Sequence, residues 1–269
     1  MTGVIVLIID AHMHLGYTRE FYFYDTSISQ LMKKMDLLNI SFCINAHNEG
    51  LLHRNIEKGI IDSIKAYDES GKRILSYFIF NPNMSYECID LMEHYRNEKA
   101  FKGIKIHPSF HEMYADDPSY EVVWQYALDN NLPIMSHTWD LSPHNDSQKY
   151  SCPTRFEKYI VMYPQVTFIC GHSGGRYNGI IDAAKLAAKY NNVYLDTSGD
   201  VYNYKLIEFL TDKAGADKIL FGSDALWFDQ STQLGLILGA DIALEDKEKI
   251  LFRNALDIFK LDDYIQDVR

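Results

Sequence analysis

The chain has 269 residues, 47% of them hydrophobic and 13% aromatic, with only 7 Pro and 15 Gly, which supplies apolar material for one packed core and excludes a linker-rich or disordered polypeptide. With 37 acidic against 26 basic residues the formal net charge is -11, a balance that works against phosphate-backbone binding, so nucleic acid is not an expected partner. No apolar run approaches the roughly 20 residues of a bilayer span, and the opening run, Val4 to Ile9, lacks the basic flank of a signal peptide, so no membrane partner and a cytoplasmic location are the expectations.

Taken in chain order, short β-rich apolar runs alternate with longer segments of helical periodicity. Strands are predicted over Val4–Ala11, Ser41–Ala46, Ile74–Phe80, Lys102–His107, Leu132–His137, Val166–His172, Val193–Thr197 and Lys218–Asp224. Several are apolar on both faces, as parallel strands covered by helices should be. Helices are predicted over Ser29–Leu38, Ile56–Ser70, Tyr86–Asn97, Tyr120–Asn130, Phe156–Tyr163, Ile180–Tyr190, Lys205–Ala214 and Glu245–Phe259. Asp117-Pro118-Ser119 marks a helix start, and Asn130-Asn131-Leu132-Pro133 and Tyr163-Pro164 mark helix ends. Eight such cycles predict an α/β fold, a single (β/α)₈ TIM barrel forming one domain over residues 1–269. Cys43, Cys88, Cys152 and Cys170 are widely spaced and read as reduced thiols.

The polar residues that carry chemistry sit where these strands end. Asp10-Ala11-His12-Met13-His14 closes the first strand, and residues two apart on an extended chain project to one side, so His12 and His14 can grip one ion together. His107 ends the fourth strand, His137 the fifth, His172 the sixth and Asp224 the eighth. All strand C-termini of a parallel barrel open on one face, so this placement points to a shared site. Imidazoles and a carboxylate suit Zn²⁺ or a similar divalent ion, and a bound ion can lower the pKa of water enough for attack near neutral pH. Alternation within Gly103 to His107 puts Lys105 and His107 on the same side.

Other residues have plainer readings. His53 and His94 are expected on the surface, and His47, His111 and His144 in exposed loops outside the site. Arg176 follows the Ser173-Gly174-Gly175 turn and can fork onto a substrate carboxylate, while Trp139 and Trp227 follow ligand-bearing strands and can wall a pocket.

Ile9-Asp10-Ala11-His12-Met13-His14, Gly103-Ile104-Lys105-Ile106-His107-Pro108, Gly171-His172-Ser173-Gly174-Gly175, Phe221-Gly222-Ser223-Asp224 and the closing Ile250-Leu251-Phe252-Arg253-Asn254-Ala255 together resemble the amidohydrolase superfamily, in its amidohydrolase-2 branch of barrel hydrolases and decarboxylases. The resemblance implies that His12, His14, His137 and Asp224 are the ligands of one metal and that His172 stands beside it to orient water or polarise the substrate. It also implies Asp224 as proton acceptor. His107 is read as a substrate contact, beside Arg176 and Trp139. Some relatives carry a carboxylated lysine on the fourth strand that bridges two metals, so Lys105 offers a second metal as the alternative to one Zn²⁺.

The expected function is hydrolysis of a C–N or C–O bond in a small molecule by metal-activated water. The alternatives are non-oxidative decarboxylation of an aromatic or unsaturated acid, since Trp139-Asp140 is shared with some enzymes of that kind, and a non-catalytic metal-binding barrel. A homodimer is the default assembly.

Overall fold

The computed structural model describes residues 7–21 and 23–264. Eight parallel strands, β1 (Ile9–Met13), β2 (Phe42–Asn45), β3 (Ile74–Ile79), β4 (Phe101–Ile106), β5 (Ile134–His137), β6 (Phe168–Gly171), β7 (Val193–Asp196) and β8 (Ile219–Leu220), pair in chain order, and helices lie between them. The barrel closes between β8 and β1 through a few backbone bonds: Ala11 N to Phe221 O at 2.8 Å, Asp224 N to His12 O at 2.8 Å and Leu226 N to His14 O at 3.1 Å. This is the α/β TIM barrel that the alternation of runs predicts.

The strands are apolar because both faces are covered, and almost every strand residue is buried. Outside β6, Trp124 of the helix Glu121–Asn130 is fully buried and packs 5.4 Å from Phe168 and 5.5 Å from Tyr159, between centroids, locking two outer helices against the sheet. Helix starts use side-chain acceptors: Ser27 takes the N–H of Gln30, Asn55 that of Lys58 and Asp229 that of Ser231.

Some boundaries differ from expectation. The first strand runs Ile9–Met13, four residues of which are the ligand motif itself, and residues 4–6 of the predicted strand lie outside the described residues. β8 is two residues long, and just beyond it Phe221 N donates to Ile250 O, while Asn254 Nδ2 secures the approach to the strand by donating to Ala216 O and Ile219 O at 2.8 and 2.7 Å. The closing helix is interrupted by a π-helical stretch, Lys249–Arg253, which carries that Ile250 carbonyl. A helix over Gln230–Gly239 was not expected. Among the described residues, no helix is long and apolar enough to cross a membrane.

Candidate functional site

β1 places His12 at the barrel mouth and leaves His14 just past the strand end, both buried. His14 Nδ1 lies 2.8 Å from the Ala46 carbonyl oxygen, which can only accept, so the proton is on Nδ1 and Nε2 is bare. His12 Nδ1 lies 2.8 Å from Asp196 Oδ2. Asp224, held at φ +63° on the turn after β8, brings Oδ1 to 3.0 Å from His14 Nε2 and 3.5 Å from His12 Nε2. That oxygen is buried and meets no hydrogen-bond geometry with either ring. Three acceptor atoms converging without protons between them repel one another unless a cation joins them, and imidazole, imidazole and carboxylate is a donor set for a divalent ion. The residues therefore fit a metal on their own chemistry.

Burial alone would raise Asp224, but the imidazoles of His172, His14 and His12 around it outweigh that and hold the carboxyl well below its usual range. Burial pushes the imidazoles of His12 and His14 down, keeping them neutral. Lys105, buried inside the barrel, points its Nζ at His12 Nε2 at 2.6 Å and thus directs a cationic group at the same cluster. Burial lowers it to about 8, against the pull of Asp196 and Asp224.

His137 is turned towards a neighbour other than His12, His14 and Asp224. At the end of β5 its Nε2 faces Gln148 Oε1 at 2.8 Å, and it stands outside the His12–His14–Asp224 group. Its ring stacks on His107 at 4.1 Å and lies parallel to Trp139 at 5.7 Å between centroids, while His107 in turn stacks on Phe110 at 3.7 Å. Burial and the neighbouring histidines hold both His107 and His137 well below the usual imidazole value. His172 follows β6 at φ +62°, with its ring centre 5.0 Å from His12 and 4.9 Å from His137. Its pKa is also lowered by burial.

Above these residues opens a cavity of about 520 Å³, lined by Asp224, His172, His137 and His107 below and by aromatic side chains around it. Two stacked ladders form its walls: Phe110–His107–His137–Trp139 on one side, and Phe21–Trp227–His14, with centroid spacings of 5.1 and 4.1 Å, on the other. Trp139 and Trp227 thus wall the pocket. Arg176 also lines it, but its guanidinium is paired with Asp200 and lies 5.8 Å from the Trp139 ring.

Two expectations about histidines need correction. His47 and His111 are buried rather than exposed, because each has a structural partner: His47 Nδ1 accepts the Glu49 N–H at 3.2 Å, and His111 Nδ1 lies 2.7 Å from the Tyr120 hydroxyl. His53, His94 and His144 are exposed as expected. Conversely, three residues that complete the site were not singled out: Gln148, which holds His137, and Asp196 and Ser198 at the end of β7. The polar run Asp196-Thr197-Ser198 closing an apolar strand was the available signal.

An amidohydrolase family model matches residues 64–261. Among solved structures, 2,6-dihydroxybenzoate decarboxylase from Rhizobium is 18% identical with a TM-score of 0.70, covering 95% of this chain and 98% of that one. A 5-carboxyvanillate decarboxylase from Novosphingobium aromaticivorans, complexed with manganese and 4-hydroxy-3-methoxy-5-nitrobenzoic acid, is 15% identical with a TM-score of 0.71, covering 95% and 96%. An uncharacterised TIM-barrel protein from Bordetella bronchiseptica is 15% identical with a TM-score of 0.76, covering 98% and 100%. At these identities the likeness is one of fold. No curated protein sequence matches the chain significantly.

Proposed function

The chain belongs to the amidohydrolase family, and on that footing we propose that it is a metal-dependent hydrolase acting on a C–N or C–O bond of a small molecule, an amide, lactone or ester. The observation that carries this reading is the buried, unpartnered Asp224 Oδ1 set between the Nε2 atoms of His12 and His14 under a cavity. These three residues would hold one divalent cation, with His137 as a fourth donor once it leaves Gln148. The nitrogen-rich set favours Zn²⁺, and the amine of Lys105, 2.6 Å from His12 Nε2, favours one cation over two. When bound, the cation supplies Lewis acidity that brings the pKa of water towards neutrality.

Asp224, held ionised by its histidines, takes a proton from the attacking water. His172 at the cavity floor orients that water or faces the oxyanion. His107 and Trp139 give the substrate a flat wall, and Arg176 offers a charge to a substrate carboxylate if it gives up Asp200.

The two aromatic ladders favour a second reading, decarboxylation of a planar aromatic acid, the reaction named for the Rhizobium and Novosphingobium proteins. A panel of lactones, amides, esters and hydroxybenzoates, assayed in parallel for released acid and released CO₂, separates the two. The hydrolytic reading predicts acid from the first three classes and no CO₂. Release of CO₂ alone would replace it with the second reading, and neither product from metal-loaded protein would overturn both.

A further inference from the structure

We propose that Asp196 and Ser198 are a positioning pair that fixes the protonated nitrogen of two imidazoles at once, so that neutral His12 and His172 both carry the proton on Nδ1 and present a bare Nε2 on the side of the ring away from β7. The inference rests on the metal-site reading above and deepens it.

The geometry is a buried hydrogen-bond circuit behind the cavity floor. Asp196 and Ser198 are fully buried. Asp196 Oδ2 lies 2.8 Å from His12 Nδ1, and Oδ1 accepts the backbone N–H of His172 and of Ser198, each at 2.9 Å. Ser198 Oγ lies 2.6 Å from Asp196 Oδ1, 2.8 Å from His12 Nδ1 and 2.9 Å from His172 Nδ1. His12, His172 and Asp196 are also metal-ligand residue types brought together, and the Ser198 hydroxyl stands within hydrogen-bond distance of all three.

Counting protons decides the direction of each bond. A carboxylate only accepts, so the proton between Asp196 and His12 belongs to the imidazole. The hydroxyl has a single proton, and the carboxylate oxygen at 2.6 Å takes it. Were the serine to give that proton to His172 instead, two oxygen lone pairs would face each other at 2.6 Å in a buried site. The serine oxygen therefore accepts from His172 Nδ1–H. Gly199 at φ +87° keeps the turn pressed on this ring, since a Cβ there would stand 2.6 Å from His172 Nδ1.

The consequence is chemical. A bare Nε2 cannot donate to a developing oxyanion, so of the two roles open to His172 the circuit selects acceptance of a hydrogen bond from the attacking water. Asp196 does not line the cavity, and acts through His12 and His172.

Long-range ¹H–¹⁵N spectra of protein carrying ¹⁵N-histidine, metal-free and at a pH above the imidazole range, read the tautomers directly, with the two rings assigned from the signals lost in His12→Gln and His172→Gln. Both are expected to carry the proton on Nδ1. Ser198→Ala should move His172 towards the Nε2–H form, and Ser198→Thr should restore the wild-type pattern. A wild-type His172 protonated on Nε2, or a pattern untouched by Ser198→Ala, overturns the pair. Asp196→Asn, whose amide can donate to His12 Nδ1 and so force the wrong tautomer, should weaken Zn²⁺ binding about 10–100-fold in a chelator competition. Unchanged affinity overturns the role of Asp196. Failure of wild-type protein to bind Zn²⁺ would sink the metal reading instead, a result the tautomer spectra distinguish from failure of the pair.

Discussion

An H-x-H pair acquires meaning from what holds its far nitrogens. His14 Nδ1 is fixed by a backbone carbonyl and His12 Nδ1 by Asp196, so both rings aim Nε2 at Asp224. His137 is the residue whose part is least fixed, because its Nε2 is already committed to Gln148. If it is the fourth donor, Gln148→Ala frees it and should leave Zn²⁺ affinity equal to or above wild type. His137→Ala should then lower affinity on the order of 10–100-fold. Chelator competition on both variants checks this, and equal weakening by the two would mean that the bond to Gln148, not a metal bond, is the business of His137. The histidines of this site were legible because imidazoles at strand ends have a positional logic in a barrel. Asp196, Ser198 and Gln148 were not, because a side chain that hydrogen-bonds a ligand obeys no spacing rule: Gln148 arrives from a short 3₁₀ helix, Asp146–Ser151, eleven residues past His137, and Ser198 stands beyond a strand end that carries no histidine. His47 and His111 misled for the opposite reason, since a loop position says nothing about a partner such as Tyr120.

At the scale of the element, the seam between β8 and β1 is where the ligand strand is anchored. Asp10 is fully buried there and collects the Ser223 N–H at 2.9 Å, the His12 N–H at 3.3 Å, the Ser223 hydroxyl and Gln230 Nε2 at 3.0 Å. Burial nonetheless pushes its pKa up to about 6. Asp10→Ala would strand those donors without acceptors, at a cost of about 3 kcal/mol. A lower urea midpoint for the metal-free variant is expected, and an unchanged midpoint would show that the carboxylate does not secure the seam. Strand and helix order was readable from alternation alone, but the ends were not. β1 ends later than the predicted strand because pairing with β2 continues through Met13, two residues beyond Ala11. The helix Gln230–Gly239 escaped because its core, Leu234-Gly235-Leu236-Ile237-Leu238-Gly239, is apolar all round and broken by glycines, which erases the 3.6-residue contrast a helix usually advertises.

For the molecule as a whole, the buried histidines set the response to acid. His12, His14, His47, His107, His111, His137 and His172 all have pKa values lowered by burial, His47 to about 4 and His111 to about 3. Their unfolded counterparts take up protons near the ordinary imidazole value of 6.5, so below that pH the unfolded chain binds more protons than the folded one and stability falls as pH falls. Asp10 opposes this between 3.8 and about 6, where the folded state holds the extra proton, but it is one group against seven. The urea midpoint of metal-free protein should therefore drop steeply from about pH 7.5 to about pH 5.5; a flat profile would mean these imidazoles are already charged in the fold. A cation held by His12, His14 and Asp224 would add stability of its own in proportion to its affinity. The most direct test of the account is calorimetric titration of chelator-stripped protein with Zn²⁺, beside His14→Ala and Asp224→Ala. One equivalent bound by wild type and none by either variant is the predicted result; no saturable binding by wild type, or full binding by Asp224→Ala, would contradict it.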